Sequence, residues 1–352
     1  MSGRLPDLAD DATGVLPVSI DDRIVWDTWL SLFRFPVVSV ADEVGTFAAL
    51  SARAKSTTAL ADELQVDARA LTVHLGALAA LGFVERREGL WRATAASRRW
   101  LHPRAEGYVG PVLHRFVEQQ PFHTQLLETL RTGGRAQQYP SVAEEWERGA
   151  MPPELARSVT AFMNAHSRAA ACAVAQQPVF GQIASLLDVG GGSGIFAIEM
   201  AQAWPSLAAT VLEIDTICAE ADRYIARRGA AARVKTRPVN MFTQPWPRGF
   251  DAHFFSNIFH DWSDDTCRML ARKSFEALPA GGRILLHEVL MDDEGTGPWP
   301  AAAFSLLMLI GTRGRQFTLA ELRGFLEAAG FVDVEAGSTG GGYYSLVSAR
   351  RP

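Results

Sequence analysis

The sequence predicts an α/β protein in which a Rossmann-like, doubly wound sheet follows an all-α N-terminal region built around a winged helix. From residue 184 onward, short apolar runs alternate with helical patterns, as they do in a mostly parallel sheet. The first of these runs ends in the segment LLDVGGGSG at residues 186–194, a strand closed by an acid and then by a glycine turn. A length of 352 residues is sufficient for two domains.

Composition and charge narrow the class of protein. Hydrophobic residues make up 48% of the chain and charged residues 21%, as in an ordinary globular protein. The net charge of −5 argues against a nucleic-acid partner, and no apolar run approaches the ~20 residues of a membrane span. The N-terminus lacks the apolar core of a signal peptide, and Cys172, Cys218 and Cys267 are isolated in the sequence. We therefore expect a cytoplasmic protein without a metal site and without nucleic-acid or membrane partners.

The N-terminal part divides into a mobile arm at residues 1–18 and a winged-helix domain at residues 19–102. Its first helices, up to residue 50, are so apolar that we expect burial in a subunit interface. A helix beginning near Thr58, a second one capped by Asp67 and ended by Gly82, and a hairpin at residues 83–94 then form the winged helix. Arg69 is the only cation on the second helix, whereas contact with phosphates needs several, so we do not expect DNA binding.

Residues 103–181 are predicted to be helical and to link the two domains while walling off a pocket for a substrate. A long helix at residues 153–177 carries Met163, which we assign to that pocket. The catalytic domain then occupies residues 182–352. Five parallel strands are expected there, with a capped helix from Thr318 and a closing antiparallel pair; the strands are at residues 186–189, 209–213, 233–239, 251–257 and 283–289, and the pair at 331–334 and 343–349.

The glycine turn after the first strand predicts a ligand site. Glycine allows a positive φ and lets a ligand lie against bare backbone. The turn lacks the Lys-Ser/Thr of a P-loop, and Ile195 stands where a dinucleotide fingerprint needs a small residue. Glu213, 19 residues after Gly194, ends the second strand and is suited to accept hydrogen bonds from ribose hydroxyls. A tight strand–helix corner without a ligand is the simpler alternative, and a nicotinamide oxidoreductase would account for the turn and Glu213 but not for Asp188 or Ile195.

A second group of candidate residues follows the fourth and fifth strands. His260 lies just beyond the fourth strand, and the carboxyl ends of parallel strands face the ligand crevice. A phenol has a pKa near ~10, so a histidine with a pKa near ~6.5 is suited to take its proton during attack. Glu288, at the end of the fifth strand, is placed to hold one imidazole nitrogen and leave the other free. A purely structural histidine is the alternative.

Taken together, these motifs resemble the plant-type O-methyltransferase family of class I S-adenosylmethionine-dependent methyltransferases, including its bacterial tailoring members. The resemblance covers nearly all of residues 21–350, and its motifs are the winged helix, DVGGGSG at 188–194, HDWSD at 260–264, Glu288 and GRQFT at 314–318. It implies an N-terminal domain that joins two subunits in a homodimer. It also implies His260 as general base and Glu288 as its orienting carboxylate. The implied S-adenosylmethionine site comprises Asp188, Gly190, Gly192, Gly194, Glu213, Asn240, Met241, Phe242 and Ser256.

Three positions depart from the family pattern. Asn240 stands where an aspartate usually lies beside the adenine, and Ser256 where many members carry a cation near the cofactor. Gln316 replaces a glutamate that serves plant members as a second carboxylate by the histidine. With Gln316, His260 would have one carboxylate instead of two, which leaves room for carbon or nitrogen methylation.

The expected activity is methyl transfer to a small phenolic acceptor in specialised metabolism such as antibiotic biosynthesis. We assign Met163, Phe259, Phe304 and Met308 to the acceptor pocket, although apolar residues there are equally expected in a core. Two alternatives remain open. One is C-methylation of a phenolic or amino acid-derived ring with the same base, and the other is a non-catalytic winged-helix ligand sensor.

Overall fold

The computed structural model describes residues 22–137 and 143–352. The predicted mobile arm at residues 1–18 lies outside the described residues. The helices are α1 (Arg23–Leu30), α2 (Arg34–Glu43), α3 (Thr46–Ala52), α4 (Thr57–Leu64), α5 (Ala68–Ala80), α6 (Ala95–Trp100), α7 (Gly110–His114), α8 (Pro121–Thr132), α9 (Ala143–Arg148), α10 (Pro153–Val174), α11 (Ile195–Ala203), α12 (Asp215–Arg227), α13 (Asp264–Ala277), α14 (Trp299–Gly311) and α15 (Leu319–Ala329). The strands are β1 (Val84–Arg87), β2 (Leu90–Ala93), β3 (Ser185–Val189), β4 (Ala208–Glu213), β5 (Val234–Pro238), β6 (Ala252–Ser256), β7 (Arg283–Glu288), β8 (Val332–Ser338) and β9 (Ser345–Arg350).

The winged helix forms from α4, α5 and the antiparallel pair β1–β2. The side chain of Asp67 accepts a hydrogen bond from the backbone N–H of Ala70 and caps α5, as the sequence predicted. The cap of α4 is Ser56 instead of a residue near Thr58, because the hydroxyl of Ser56 accepts from the N–H of Ala59.

Helical structure runs from Arg23 to Glu43 with a short 3₁₀ turn between α1 and α2, and this run is long and apolar enough by length and composition alone to cross a membrane. Much of the apolar surface of this helical run is buried inside the protein, because Phe33, Val37 and Val40 pack in the N-terminal core. A core helix of a soluble protein passes the same test. The absence of a membrane partner therefore stays a prediction.

The second sheet has seven strands in the order β5-β4-β3-β6-β7-β9-β8. Its first five strands are parallel, and β9 lies antiparallel between β7 and β8. The strand order reverses between β3 and β6, and ligands of open α/β sheets bind outside the carboxyl ends of strands at such a switch point. The α/β fold with a mostly parallel sheet is confirmed. Thr318 begins α15 with the predicted cap, reinforced by the side chain of Glu321.

Helix α14 joins the two halves of the molecule. Twelve of its residues are buried, and its residues Phe304, Leu306 and Leu309 share one core cluster with Leu71 and Leu75 of α5. Because it is apolar all round, it lacks the one-sided periodicity from which its helical bounds could be predicted. The N-terminal and catalytic regions therefore share packing across the predicted domain boundaries.

Candidate active site

The glycine turn after β3 forms an open cradle at the switch point. Gly190, Gly192 and Gly194 adopt φ values of +70°, +54° and +77°, which other residues rarely adopt. A Cβ added at Gly192 would meet no atom within 4 Å, so the backbone there faces free space. A Cβ at Gly190 would lie 2.5 Å from the Cδ1 of Ile258. The turn therefore needs glycine both for its backbone conformation and for its close approach to a neighbouring segment.

Two buried carboxylates, Asp188 and Glu213, lie at the ends of the adjacent strands β3 and β4. Both oxygens of Asp188 lack a hydrogen-bond partner among the described residues. Burial and then the charge of Glu213 raise the pKa of Asp188 to about 7, against the smaller lowering effect of the nearby backbone N–H of Ala197. Burial likewise raises the pKa of Glu213 to about 7, although its Oε2 accepts from the backbone N–H of Ile214 at 2.9 Å. An unpaired buried carboxylate is costly, so this pair fits a ligand that carries positive charge and hydroxyl donors.

Helix α9 lies against this pair through Trp146. Its indole N–H donates to Oε2 of Glu213 at 3.3 Å. The side-chain amide of Asn240 donates to the carbonyl oxygens of Trp146 and Glu147 at 3.3 and 3.0 Å, and its Oδ1 accepts from the N–H of Phe242 at 2.9 Å. Asn240 is thus fully occupied in holding α9 and its own turn. The assignment of Asn240 to the adenine end of the cofactor site stays a prediction.

The remaining predicted cofactor residues are Met241, Phe242 and Ser256, and each has a different environment. Met241 is buried, with its sulfur 4.0 Å from where a Cβ of Gly190 would lie, and so it lies beside the glycine turn. The ring of Phe242 packs edge-on against Trp262 at 4.7 Å. The hydroxyl of Ser256 lies 2.8 Å from Nδ1 of the buried His287. Ser256 ends β6, the strand that pairs with β3, and its assignment to the cofactor site stays a prediction.

His260 lies on a one-turn 3₁₀ helix, Phe259–Asp261, just after β6. Asn257 makes the bend with a φ of +56°, a left-handed conformation that asparagine tolerates. Oε1 of Glu288 accepts from the backbone N–H groups of Ile258 and Phe259 at 3.2 and 3.0 Å, and its Oε2 lies 3.0 Å from Nδ1 of His260. Glu288 therefore fixes both the turn and the imidazole ring, as the sequence predicted for the pair.

Gln316 is the third group at the imidazole. Its Nε2 lies 2.8 Å from Nδ1 of His260, and its Oε1 is buried without a hydrogen-bond partner among the described residues. Rotating the side-chain amide of Gln316 by 180° exchanges its oxygen and nitrogen, so that Oε1 becomes a second acceptor for Nδ1–H. In that arrangement Nδ1–H lies between acceptors on Glu288 and Gln316, and Nε2 is the nitrogen that gains or loses a proton.

The electrostatics of His260 favour the protonated ring. Burial is the largest influence and lowers the pKa of His260, but the carboxylates of Glu288 and Asp261 outweigh it and raise the pKa to about 9. Asp261 approaches from the other side, with Oδ1 3.8 Å from Nε2. A base whose pKa lies close to that of a phenol is well matched to taking a phenolic proton.

A small cavity of about 10 Å³ adjoins this pair, since Val289, the residue after Glu288, lines it. Phe304 also lines it, together with Trp26 and His166. Of the four residues predicted for the acceptor pocket, Phe304 alone lines this cavity. Met163 is half-buried on α10 and Met308 is buried on α14, both outside the cavity lining.

Phe259 needs a correction. Its side chain is fully buried and packs edge-on against Phe255 at 5.4 Å in the core of the sheet. What Phe259 supplies to the site is its backbone N–H, which holds Glu288.

Sequence reasoning missed Trp26, Trp146, Asn164 and His166. Asn164 Oδ1 lies 3.4 Å from the hydroxyl of Ser193 and connects α10 to the glycine turn. Asn164 and His166 could have been noticed as two polar residues close together on an amphipathic helix. Nothing in the sequence around Trp26 or Trp146 indicates a place in the site. The described residues contain no group of three or more side chains that could hold a metal ion.

Known proteins that are similar to this chain in sequence are methyltransferases. The model of the O-methyltransferase domain matches residues 123–332. A 3-hydroxy-5-methyl-1-naphthoate 3-O-methyltransferase of Streptomyces sahachiroi is 31% identical over 328 residues, which is 93% of this chain and 94% of that protein. An L-tyrosine C(3)-methyltransferase of Streptomyces lavendulae is 34% identical over 148 residues, covering 42% of this chain and 40% of that protein.

Solved structures agree on the fold. An O-methyltransferase family 2 protein from Planctomyces limnophilus, in complex with apigenin, matches with a TM-score of 0.84 at 24% identity, covering 97% of this chain and 99% of that one. Other matching structures are complexes with S-adenosylmethionine.

Proposed function

Because the chain belongs to the O-methyltransferase family and is an S-adenosylmethionine-dependent methyltransferase, we propose that it methylates a phenolic hydroxyl of a small aromatic acceptor with His260 as general base. The observation that carries this proposal is the position of His260, fixed by Glu288 next to an aromatic cavity. Acceptors of this kind belong to specialised metabolism such as antibiotic biosynthesis, and the naphthoate named for the Streptomyces sahachiroi relative is one of them.

The residues at the glycine turn fit the cofactor. Both oxygens of Asp188 are buried and unpaired, and the backbone at Gly192 faces free space. We assign Asp188 to the polar anchor of the amino acid end and Glu213 to the ribose hydroxyls, with Met241 and Phe242 beside the adenine. When bound, S-adenosylmethionine supplies an electrophilic methyl group on a sulfonium.

In the proposed step His260 would remove the phenolic proton through Nε2 while the phenolic oxygen attacks the methyl carbon. The carbon–sulfur bond of the cofactor would break, and S-adenosylhomocysteine would leave as a neutral thioether. Nδ1–H stays bonded to Glu288, which keeps the ring in the correct tautomer and stabilises its charge once the proton has arrived. Burial of His260 and Glu288 excludes water from this proton transfer. Residues around the cavity would position the ring so that oxygen and methyl carbon meet in line, because such a transfer depends heavily on the alignment of the reacting atoms.

The test combines binding with turnover. The purified protein should bind S-adenosylmethionine in a calorimetric titration and methylate simple naphthols, as followed by mass spectrometry. His260→Ala should lower turnover by about 10²- to 10⁴-fold and leave cofactor affinity unchanged, because a general base contributes to the transition state alone. Equal loss of turnover and cofactor binding would refute the assignment of the base.

C-methylation is the second candidate, favoured by Gln316 and by the L-tyrosine C(3)-methyltransferase relative. The same base serves, since the carbon ortho to a phenol becomes nucleophilic as the phenol ionises. Product mass does not separate the two outcomes, but proton NMR does, because an O-methyl resonance lies far downfield of a C-methyl one.

We further propose a cytoplasmic homodimer. The support is the exposed apolar surface of the N-terminal segment, where Ile24, Val25 and Leu32 are 76%, 63% and 51% exposed. Light scattering should give twice the monomer mass, and Ile24→Lys with Val25→Lys should shift it toward the monomer. A monomeric wild-type protein would refute the dimer, and cell fractionation tests the compartment.

A further inference from the structure

The loop that follows α14 comes very close to the turn that carries the proposed base, Phe259–Asp261 (the base turn). A Cβ added at Gly314 would overlap the carbonyl oxygen of His260 and would lie 2.6 Å from the carbonyl carbon of Asp261. The backbone N–H of Arg313 donates to the carbonyl oxygen of Asp261 at 3.3 Å. The two segments therefore meet backbone to backbone, and a residue without a side chain makes this contact possible.

Gly314 is needed at this contact for space and not for backbone conformation. It does not have a positive φ, unlike the three glycines of the turn after β3. Alanine could therefore adopt the same backbone conformation. A methyl group that overlaps a carbonyl oxygen forces one of the two segments to move, so Gly314→Ala acts through the contact with the base turn.

Both segments are held by other contacts as well. The loop is tied to α14, because the N–H of Gly314 donates to the hydroxyl of Thr312 at 3.2 Å and the N–H of Gln316 to the hydroxyl of Ser305 at 3.0 Å. The base turn is held at its N-terminal end by Glu288, which accepts from two backbone N–H groups. The loop meets the carbonyl groups at the other end, so the base turn is fixed between Glu288 and Gly314.

The winged helix supports the same loop through Arg69 on α5. The guanidinium of Arg69 donates to the carbonyl oxygens of Arg313 and Gly133, at 3.4 Å in each case. Arg69 is the cation of the helix that would read DNA in a winged-helix regulator, and here it bonds the protein's own backbone. Hydrogen bonds of this length are weak, so we expect the support from Arg69 to be smaller than the effect of Gly314.

We propose that Gly314 is a positioning residue of the methyl transfer, whose bare backbone sets the place of the base turn and so the distance from His260 to the acceptor hydroxyl, with Arg69 supporting the loop. The role of His260 as base in this inference rests on the proposed function. Gly314 acts through His260 and not through contact with the acceptor. A displacement of about 1 Å in a reacting group can lower a rate by about 10²-fold, so a methyl group at Gly314 has a measurable consequence.

Titration of His260 tests the contact without any turnover. The ring C–H signals of the histidines are followed by NMR against pH in the ligand-free protein, and His260→Ala identifies the signal of His260. Nδ1 of His260 already lies 3.0 Å from Glu288, so a displaced ring is held less closely by this carboxylate. The pKa of about 9 should then fall by about one in Gly314→Ala, because an opposite charge in contact changes a pKa by about 1–3.

The control for this titration is Gly324→Ala on α15, where a Cβ would meet no atom within 4 Å and the pKa of His260 should stay as in the wild type. The other titratable groups around the ring, Glu288, Asp261 and His166, are the same in both variants. If the pKa of His260 does not fall in folded Gly314→Ala, the proposal is wrong.

Turnover of naphthols gives the second readout. Gly314→Ala should lower kcat by about 10- to 100-fold and leave KM for the naphthol and Kd for S-adenosylmethionine within about twofold, because only the base is displaced. In the His260→Ala background the same substitution should have no further effect, since the group that it positions is gone. Equal losses of kcat in the two backgrounds would show a merely structural role and overturn the proposal.

Arg69→Met provides a second variant, because it adds no atom to the contact and removes one support of the loop. It should lower the pKa of His260 in the same direction and kcat by about two- to fivefold, as expected for a weak hydrogen bond. If Gly314→Ala does not fold and Arg69→Met changes neither readout, the proposal is wrong. A lowered pKa of His260 in Gly314→Ala, together with a wild-type protein that methylates no naphthol, would refute the proposed function and leave the positioning of His260 by Gly314 standing.

Discussion

Replacing Asp188 tests the proposed cofactor site, because the structure predicts that the change stabilises the ligand-free protein and weakens binding of S-adenosylmethionine. It is fully buried, neither oxygen has a partner among the described residues, and its pKa is raised from 3.8 to about 7. A carboxyl whose folded pKa exceeds its unfolded pKa binds more protons when folded, so stability falls as pH rises from about 4 to about 7 and then levels. We therefore expect the ligand-free protein to become more stable when Asp188 is replaced by a neutral amide.

The size of the effect follows from the shift. Three pKa units correspond to about 4 kcal/mol of destabilisation in the folded state above pH 7. The amide of Asp188→Asn would leave buried donors unpaired at a cost of about 1–3 kcal/mol, so the net gain is about 1–3 kcal/mol at pH 8. That corresponds to a rise of several degrees in Tm. At pH 4 the wild-type carboxyl is protonated in the folded protein, so only the cost of the amide remains and Asp188→Asn should be less stable than wild type by about 1–3 kcal/mol.

The assay is thermal unfolding of the ligand-free protein between pH 4 and pH 8, with Asp62→Asn on the exposed surface of α4 as the control. Calorimetric titration with S-adenosylmethionine should show about 10- to 100-fold weaker binding for Asp188→Asn at pH 8, since a hydrogen bond to a charged group is lost. A variant that is less stable than wild type at pH 8, or whose gain does not grow with pH, would show that Asp188 is a structural carboxylate.

Three further predictions concern the base and the ribose carboxylate. For the wild type, kcat/KM should rise with pH and level near pH 9, since the raised pKa of about 9 keeps His260 protonated below that pH. Glu288→Gln removes the main charge that raises this pKa, so the rise in kcat/KM should move to lower pH and its plateau should fall. Gln316→Glu adds a carboxylate beside Nδ1 and should move the limb to higher pH, and an unchanged profile would show that residue 316 does not bear on the base. Trp146 bonds the Glu213 oxygen expected to bind ribose, so its fluorescence should change as S-adenosylmethionine is added, and Trp146→Phe should lose most of that signal while Trp100→Phe keeps it.

The parts of the fold and site that the sequence predicted are those set by local pattern. The strand–glycine–helix unit follows from apolar runs and from glycines that need positive φ. His260 and Glu288 follow from their positions at the carboxyl ends of β6 and β7, neighbouring parallel strands whose ends meet at one edge. Their contact was therefore predictable once these two consecutive strands were taken as neighbours in the sheet.

The parts that were not predicted depend on contacts between distant segments. The cavity proposed for the acceptor assembles from α1, α10, α14 and the loop before β9, and no local pattern reveals which side chains of these segments converge. Phe259 was assigned to this cavity because it follows a strand, yet packing against Phe255 turns its ring into the core. Trp146 lies 67 residues before the carboxylate that it bonds, in a short helix without periodicity.

The charges of the site combine into one consequence for catalysis. Asp188 and Glu213 have raised pKa values because each is a buried carboxyl, and His260 has a raised pKa because Glu288 and Asp261 are close. A positive charge arriving at the glycine turn lowers the pKa of all three, since it stabilises the two carboxylates and repels the imidazolium. We therefore expect a bound cofactor to favour proton release from all three groups and to lower the pH at which His260 is a free base. Gln316 assists this response, because a neutral amide leaves His260 with less negative charge to hold its proton than a second carboxylate would.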